Sequence, residues 1–203
     1  MKLGAERICG IVLSLRNFSR LDEAEIKAVD LHEGIDSTLL LLQNRLKAQG
    51  KESEIQIVKE YENLPLVESY PGQLNQVFMN LLANAIDALE EKRVVSDSEI
   101  PRDSPCIWIR TEVKDSDLPL KGDCSAAGVL IRIADNGPGM TEAVQRCLFD
   151  PFFTTKPVGK GTGLGLSISY QIVVEKHKGQ LLVKSKLGQG TEFIIDLPLR
   201  QSP

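Results

Sequence analysis

The feature that most constrains this chain is a glycine-rich segment, residues 149–166, which reads FDPFFTTKPVGKGTGLGL. Glycine occurs at every second position from Gly159 to Gly165. Because glycine loses more backbone freedom on folding than any other residue, this spacing disfavours a regular helix or strand and favours a loop that approaches a ligand closely. Apolar residues follow the loop at helical spacing. We therefore predict a loop that opens into a helix N-terminus, where unpaired N–H groups and the helix dipole favour phosphate.

The common phosphate-binding motifs do not fit this spacing. A Walker loop needs a glycine followed by Lys-Ser or Lys-Thr after a fixed gap, and the dinucleotide fingerprint and the protein-kinase glycine loop both need G-x-G-x-x-G. This segment has a strict G-x-G-x-G pattern instead. A flexible surface loop would account for the glycines and for Lys156 and Lys160, but not for the apolar run that follows. The two commonest nucleotide-binding folds are therefore disfavoured.

The composition excludes several classes of partner. The 203 residues carry a net charge of -4 and have a pI near 5.3, and the basic residues are not clustered. Binding to nucleic acid or to an anionic membrane needs clustered Lys and Arg, so neither is expected. The sequence has no apolar run long enough for a signal peptide or a membrane span, so this chain is expected in the cytoplasm, with membrane attachment of a longer protein left open. The four cysteines lack C-x-x-C spacing, which favours reduced thiols.

Two helices and a strand are predicted in the N-terminal third of the chain. Residues 3–20 carry apolar side chains at mixed three- and four-residue spacing, as in an amphipathic helix. A single helix cannot bury such a stripe, so it is expected to contact the following domain, a helix outside this chain, or a second copy of itself. Residues 31–48 read as the first helix of the main domain, and residues 55–61 alternate as a strand.

Residues 73–91 form the clearest helical pattern in the sequence. At about 100° per residue, one face is wholly apolar. The opposite face is a narrow polar stripe with two asparagines one turn apart, Asn80 and Asn84. A solvated helix face usually carries Lys, Glu and Arg, and Asn is a poor helix former, so these amides are interpreted as ligand-binding groups. The apolar face comprises Leu74, Val77, Phe78, Leu81, Leu82, Ala85 and Leu89, and the polar stripe comprises Gln73, Gln76, Asn80, Asn84 and Asp87.

The rest of the chain reads mainly as strands. Residues 106–113 and 129–134 are predicted as paired strands, and residues 180–186 and 191–197 as a hairpin. A turn of Asp, Asn, Gly and Pro, residues 135–140, follows the second strand. The predicted fold class is therefore α+β, a two-layer sandwich in which helices cover one face of a mixed sheet, preceded by one amphipathic helix.

Five sequence motifs, taken in order, resemble those of one protein family. One such motif would be a weak signal, but five in family order are specific. They resemble the catalytic, ATP-binding domain of sensor histidine kinases and cover roughly residues 31–199. The implied fold is the Bergerat ATP-binding fold, shared with gyrase-type topoisomerases, mismatch-repair ATPases and a heat-shock chaperone. The motifs are NLLANAIDAL (Asn80 to Leu89), DNGPGM (Asp135 to Met140), FDPFFTTK (Phe149 to Lys156), GTGLGLSI (Gly161 to Ile168) and GQGTEFIIDLP (Gly188 to Pro198).

The resemblance implies a Mg-ATP site. Asn84 matches the magnesium ligand, a hard oxygen donor that leaves the other positions to triphosphate oxygens and water. Asn80 would support the phosphates or the water shell of the metal, and Lys156 would act on the phosphates, so these three are the predicted catalytic residues. Asp135 matches the acceptor of the adenine amino group, and Thr191 would complete the adenine pocket. The predicted nucleotide-binding set also contains Asp87, Gly137, Gly139, Lys160, Gly161, Thr162, Gly163, Leu164, Gly165 and Leu166.

The aromatic pair Phe152 and Phe153 has two interpretations. In the resembling family, the pair would hinge or anchor the glycine-rich segment as its lysines and glycines close on the phosphates. In the other interpretation, both rings are ordinary core residues.

Asn80 marks a departure from other members of the superfamily. In the ATP-hydrolysing members, and in related serine kinases, a glutamate at this position serves as general base. An amide cannot take a proton, so the chain lacks this means of activating water. Transfer to a neutral imidazole, which is itself a nucleophile near neutral pH, fits this residue better than fast hydrolysis. We therefore predict weak intrinsic ATPase activity.

The two histidines do not match a phosphoacceptor. His32 stands in what resembles the opening helix of the catalytic domain, and His177 ends the helix after the glycine-rich segment, where a cation would suit the helix dipole. Both are expected to be structural. Residues 1–28 are instead predicted to be the second helix of a dimerisation hairpin and a linker, and residues 29–203 the catalytic domain. The first helix, with its acceptor histidine, would lie upstream of Met1.

The resemblance thus implies a protein-histidine kinase fragment that binds ATP and Mg²⁺. Its expected partners are the upstream phosphoacceptor helix of the same protein, a response-regulator receiver domain, and a second copy through residues 3–20. Two alternatives stay open at this point. One is an ATP-binding regulatory or scaffold module without phosphoryl transfer, and the other is a Bergerat-fold ATPase clamp in which nucleotide closes a dimer.

Overall fold

The structure is a computed structural model that describes residues 25–47, 54–94, 104–114, 128–156 and 161–201. The predicted helix over residues 3–20 lies outside these ranges, as does Lys160. The elements in chain order are β1 (Lys27–Val29), α1 (Leu31–Leu46), β2 (Gln56–Tyr61), β3 (Val67–Ser69), α2 (Pro71–Val94), β4 (Cys106–Lys114), β5 (Gly128–Asp135), α3 (Glu142–Cys147), α4 (Gly165–Tyr170) with a π-helical continuation (Gln171–Lys176), β6 (Gln180–Lys186) and β7 (Gly190–Pro198).

Five strands form one mixed sheet in the order β2-β4-β5-β7-β6. β2 pairs with β4 in parallel, and the other neighbours are antiparallel. The predicted pair of strands and the predicted hairpin are both present with this pairing. The two-layer α+β class is confirmed, since α1, α2 and α4 cover one face of the sheet.

The core lies between the sheet and α2. All seven residues of the predicted apolar face of α2 are buried, together with Ile86. They meet the inward-facing residues of the central strands, such as Ile109, Ile131 and Ile195, which are fully buried. Burying side chains of this size supplies most of the driving force for folding. Because α2 is fixed along its whole apolar face, its opposite polar stripe is held in one orientation.

Helix α1 packs closely on α2. Its N-terminus is capped by Asp30, whose Oδ1 accepts a hydrogen bond from the His32 N–H at 2.8 Å. A Cβ atom at Gly34 would lie 2.6 Å from Asn75 Oδ1 of α2, so glycine permits the approach of the two helices at this point. The last turn of α1 carries Arg45, which reaches the side of α2.

In the part of the chain that the structure describes, the outer face of the sheet carries ion pairs and no helix. Glu112 Oε1 lies 2.8 Å from Arg110 Nε and 3.4 Å from Arg132 Nε. Glu192 lies 3.7 Å from Arg132 and 3.9 Å from Lys184. The five charges therefore alternate in sign across four neighbouring strands of the sheet, which is the pattern of a solvated face.

Three elements were not predicted from the sequence. β1 and β3 form a separate two-stranded antiparallel sheet, and α3 follows the turn at residues 135–140. The helix after the glycine-rich segment changes at Gln171 from α to π, and the His177 N–H donates to the Ile172 carbonyl at 3.1 Å. Within the described ranges, no helix has both the length and the apolar character that crossing a bilayer requires.

Candidate functional site

One cavity of about 410 Å³ gathers most of the predicted site residues. It lies between the polar stripe of α2, the ends of β5 and β7, helix α3, and the described parts of the glycine-rich segment. The predicted residues that line it are Asn80, Asn84, Asp87, Asp135, Gly139, Lys156, Gly161, Thr162, Gly163, Gly165, Leu166 and Thr191. Gly137 and Leu164 do not line it, and Lys160 lies outside the described residues.

One end of the cavity is formed where β5 and β7 meet. Asp135 ends β5 and is cross-strand partner to Thr191, the second residue of β7. Asp135 is 8% exposed, and its Oδ1 accepts a hydrogen bond from the Gly137 N–H at 2.7 Å. A Cβ atom at Gly190 would lie 1.9 Å from the Asp135 carbonyl oxygen, so the two strands can approach only because this residue is glycine. A buried carboxylate and a hydroxyl therefore share one wall.

A serine fixes the Thr191 hydroxyl. Ser185 Oγ lies 3.0 Å from Thr191 Oγ1, donates to the Gly190 carbonyl at 2.9 Å, and accepts from the Met140 N–H at 2.8 Å. This hydroxyl pair joins β6, β7 and the turn after β5. Ser185 was not singled out from the sequence, because its position opposite Thr191 depends on hairpin register.

The cavity also has an apolar lining, of which sequence reasoning singled out only Phe153. Helix α3 supplies Val144 to this lining. Thr141 caps the N-terminus of the helix, because its Oγ1 accepts a hydrogen bond from the Val144 N–H at 3.4 Å. A weak signal for this helix is present in the sequence. It consists of the capping Thr141 and the apolar i, i+4 pair Val144 and Leu148. The apolar lining residues are Met140, Val144, Leu148, Phe153 and Phe193. An apolar slot beside a buried acceptor suits a flat heteroaromatic ring that carries a donor.

The other end of the cavity holds a cluster of charges. Lys156 Nζ donates to Asn84 Oδ1 at 3.2 Å and to Asp87 Oδ2. Asp87 Oδ1 also accepts from Arg45 of α1, and the same Arg45 nitrogen donates to Glu90 Oε2 at 2.8 Å. Burial lowers the pKa of Arg45, but hydrogen bonds to the two carboxylates and their charge outweigh burial and raise it. Two oxygens of α2 thus converge on one ammonium group.

Asn80 contacts the start of α4. Its Nδ2 donates to the Gly165 carbonyl at 2.9 Å and to Ser169 Oγ at 3.1 Å. A Cβ atom at Gly165 would lie 3.4 Å from the Asn80 amide carbon, an ordinary van der Waals contact, so the two residues are close neighbours. The Asn80 amide therefore positions the helix that follows the glycine-rich segment. Asn80 also lines the cavity.

The glycine-rich segment contacts itself through Phe152 and Gly163. The Phe152 N–H donates to the Gly163 carbonyl at 2.9 Å, and both residues have positive φ, 68° and 66°. A Cβ atom at Gly163 would lie 2.4 Å from the Phe152 carbonyl carbon. Phe152 is 74% exposed, so its interpretation as a core aromatic is wrong, whereas Phe153 lines the cavity.

Both histidines have structural contacts. His32 stacks on Tyr61 with ring centroids 4.1 Å apart, and its Nε2 lies 2.9 Å from Thr111 Oγ1. His177 is fully buried; its Nδ1 donates to the Ile172 carbonyl at 2.8 Å, and its Nε2 accepts from the Tyr70 N–H at 3.1 Å.

The contacts of His177 correct one prediction. An acceptor Nε2 requires a neutral ring, and burial lowers the pKa of His177, with the Ile172 carbonyl opposing part of this effect. The expectation that His177 would be a cation at this helix end is therefore wrong.

Comparisons with known proteins agree with the motifs and the fold. Residues 69–201 match the family described as histidine kinase-, DNA gyrase B-, and HSP90-like ATPase. Sporulation kinase E of Bacillus subtilis is 38% identical over 77% of this chain and 18% of its own length. Sensor kinase CckA of Brucella abortus is 35% identical over 98% of this chain and 20% of its own length. The chain thus spans about a fifth of the length of these two relatives.

Solved structures give the same result. The catalytic domain of the histidine kinase ThkA is 27% identical, with a TM-score of 0.65, and the match covers 86% of this chain and 96% of that domain. ThkA in complex with the response regulator TrrA shows the same fold at 24% identity, with a TM-score of 0.61 over 98% of this chain and 49% of that one. The chain belongs to the histidine kinase-, DNA gyrase B- and HSP90-like ATPase family, as an ATP-binding domain of the sensor histidine kinase type.

Proposed function

We propose that this chain binds Mg-ATP in the cavity beside α2 and, as part of a longer protein, transfers the γ-phosphoryl group to a histidine outside this chain. Relay to a response-regulator aspartate would follow. The observation that carries the proposal is that a buried carboxylate, Asp135, and a convergent amide, carboxylate and ammonium group, Asn84, Asp87 and Lys156, line one cavity.

The end of the cavity at Asp135 suits adenine. A carboxylate only accepts hydrogen bonds, so it can hold the exocyclic amino group of adenine and rejects a base with a carbonyl oxygen at that place. Thr191 Oγ1 would contact the base directly or through water. The ring would lie in the apolar lining, with Met140 and Phe193 among its contacts. These contacts would orient the triphosphate toward Asn84 and Lys156.

The end at Asn84 suits the phosphates and a magnesium ion. Asn84 Oδ1 and Asp87 Oδ2 already converge on a cation, the Lys156 ammonium, and oxygen donors of this kind are those that Mg²⁺ prefers. Asn84 would hold the ion, which when bound neutralises charge on the phosphate oxygens. Lys156 would contact the phosphates. Backbone N–H groups around Gly161, Gly163 and Gly165 would complete the phosphate contacts, so the chain contributes by positioning and charge stabilisation.

The acceptor histidine is proposed to lie outside this chain. His32 and His177 are held by Thr111, Tyr61, Ile172 and Tyr70, which supports structural roles for both. We propose residues 1–28 as the second helix of a dimerisation hairpin with its linker and residues 29–203 as the catalytic domain, with a homodimer through residues 3–20. A response-regulator receiver domain is the proposed second partner, which the ThkA–TrrA complex supports by analogy.

Phosphoryl transfer is tested with γ-labelled ATP and Mg²⁺. This chain would be incubated alongside a longer protein that carries the upstream coding sequence, and the label on protein would be tested for acid lability. We expect label on the longer protein only, lost in acid and stable in base, because phosphohistidine has this stability. Bound ATP with no label on either protein would instead favour a nucleotide-binding module without transfer.

A further inference from the structure

The Asp87 carboxylate contacts two cations that come from different parts of the chain. Lys156 of the glycine-rich segment donates to Oδ2, and Arg45 of α1 donates to Oδ1. Asp87 and Lys156 line the cavity, but Arg45 does not. Arg45 therefore reaches the site only through the carboxylate that it shares with Lys156.

Arg45 is fixed on the far side of Asp87 by a second carboxylate. Its NH2 nitrogen donates to Glu90 Oε2 at 2.8 Å, and Asp87 and Glu90 are three residues apart, so they lie on one side of α2. The side chains of Arg45, Asp87 and Lys156 are each about one-third exposed, at 36%, 31% and 33%. Two cations and two anions thus form one compact, partly buried group with no net charge.

The proposed function, on which this inference rests, requires Lys156 to leave Asp87 for the phosphates of ATP. If Lys156 were the only partner of Asp87, its departure would leave an unpaired carboxylate beside a polyanion. The Asp87 carboxylate and the phosphates in the same cavity would repel each other, and the solvent would screen this repulsion only in part. With Arg45 present, Asp87 keeps one ion pair after Lys156 leaves.

We propose that Arg45 is a positioning residue for Lys156. By neutralising Asp87, it weakens the hold of Asp87 on Lys156 in the nucleotide-free chain and removes the carboxylate charge that would oppose the triphosphate. Arg45 acts through Asp87 and touches neither nucleotide nor metal. Its effect is on nucleotide affinity, and it depends wholly on the Asp87 charge.

The test measures the Kd for Mg-ATP by titration calorimetry on the whole chain. Arg45→Gln is expected to weaken binding about two- to fivefold, the range for loss of a partly exposed ion pair, and more at low salt. Arg45→Lys, which keeps the charge, is expected to stay within about twofold of the unaltered chain. Lys59→Gln is the matched control, because Lys59 also forms a partly exposed ion pair that involves α1, with Asp36 at 2.7 Å, but lies away from the cavity. It should leave Kd unchanged.

The decisive comparison repeats Arg45→Gln in an Asp87→Asn background. The proposal requires that Arg45→Gln no longer changes Kd there. If the full effect persists, or if Arg45→Gln lowers only the free energy of unfolding, Arg45 is a structural link between α1 and α2 and the inference is wrong. If the unaltered chain binds Mg-ATP and Arg45→Gln binds it with the same Kd, this inference alone is overturned. If the unaltered chain does not bind Mg-ATP, the proposed function is overturned as well.

Discussion

The side-chain amide of Asn80 donates a hydrogen bond of 2.9 Å to the carbonyl of Gly165, which joins the middle of α2 to the first residue of α4. The amide nitrogen also donates to Ser169 Oγ, which itself donates to the same carbonyl at 2.8 Å. The residue that replaces the superfamily glutamate is therefore part of the frame that holds the end of the glycine-rich segment.

We expect Asn80→Ala to lower the free energy of unfolding by about 1 to 2 kcal/mol, because the partly buried Gly165 carbonyl and the buried Ser169 hydroxyl each lose a partner. We also expect Mg-ATP affinity to fall about tenfold, since α4 is then less well positioned for the phosphates; this corresponds to about 1.4 kcal/mol. Urea denaturation and calorimetric titration measure the two effects. Gln76→Ala, one turn earlier on the same stripe, is the control and should change neither. Unaltered affinity in Asn80→Ala would contradict the assigned position.

Asp135→Asn is expected to weaken ATP binding about 10- to 100-fold or more. The substitution keeps the shape of the side chain but presents a donor where the adenine amino group needs an acceptor, and a hydrogen bond to a charged group contributes about 1.5 to 3 kcal/mol. Calorimetric titration with ATP measures the loss. Asp196→Asn, on the same sheet but paired with Lys114 at 2.6 Å away from the cavity, is the matched control. Equal affinity of Asp135→Asn and the unaltered chain would remove the adenine assignment.

Gly190→Ala should be the more damaging of two glycine substitutions in the β6–β7 hairpin. Gly188 and Gly190 both have positive φ, 80° and 94°, so alanine strains the backbone at either position by about 1 to 2 kcal/mol. A Cβ atom at Gly188 meets nothing within 4 Å, whereas one at Gly190 would lie 1.9 Å from the Asp135 carbonyl oxygen. Urea denaturation should therefore show a clearly larger loss for Gly190→Ala, with weaker ATP binding as well. Equal losses would mean that the strands part easily there.

Stability should fall in mild acid because of His177. Burial lowers the pKa of His177 in the folded chain, so the unfolded chain binds this proton at a higher pH than the folded chain. Stability is therefore fully present above about pH 6.5, the unfolded value, and falls as the pH drops below it, by at most about 1.4 kcal/mol per pH unit. Unfolding in urea from pH 7.5 to pH 5 measures this slope. His177→Gln should be less stable at pH 7.5 and have a shallower slope, and parallel curves would refute the assignment.

The isolated chain is expected to hydrolyse ATP slowly. The Asn80 amide cannot take a proton from water, and its N–H groups are already directed at Gly165 and Ser169. A phosphate-release assay measures turnover with Mg-ATP in molar excess over the chain but near the Kd of the unaltered chain, and Asp135→Asn serves as the background control because it should be mostly nucleotide-free under these conditions. Rapid multiple turnover by the unaltered chain would favour the ATPase-clamp alternative.

The sequence predicted those elements that have a one-sided apolar period. Helix α2 buries one continuous face, and the middle of each strand from β4 to β6 alternates between more and less buried residues, while β7 departs from alternation at Ile194. The period of each of these elements can therefore be recognised from its own residues. β1 and β3 were missed because each has three residues, too few for a period, and they form only by pairing with each other. α3 has six residues and buries none of them fully.

Most of the candidate site could be predicted because its polar residues stand at positions where a solvated helix face or a buried strand usually carries other residue types. Asn80 and Asn84 stand within a helix although Asn is a poor helix former, and Asp135 ends an apolar strand. Contacts that join distant segments could not be predicted in this way. Arg45 and Asp87 are 42 residues apart, and nothing local distinguishes Arg45 from other basic residues at the end of a helix. The neutral state of His177 likewise depends on Tyr70, which is 107 residues away.

The strand order has a consequence for how the protein is made. β7 is the last strand of the described ranges, yet it lies between β5 and β6 and supplies Thr191 and Phe193 to the cavity. Until residue 198 has left the ribosome, β5 has an open edge and β6 has no neighbour in the sheet. The nucleotide site can therefore form only after synthesis of the domain is complete, and a nascent chain halted before Gly190 exposes the edge of β5 to other chains.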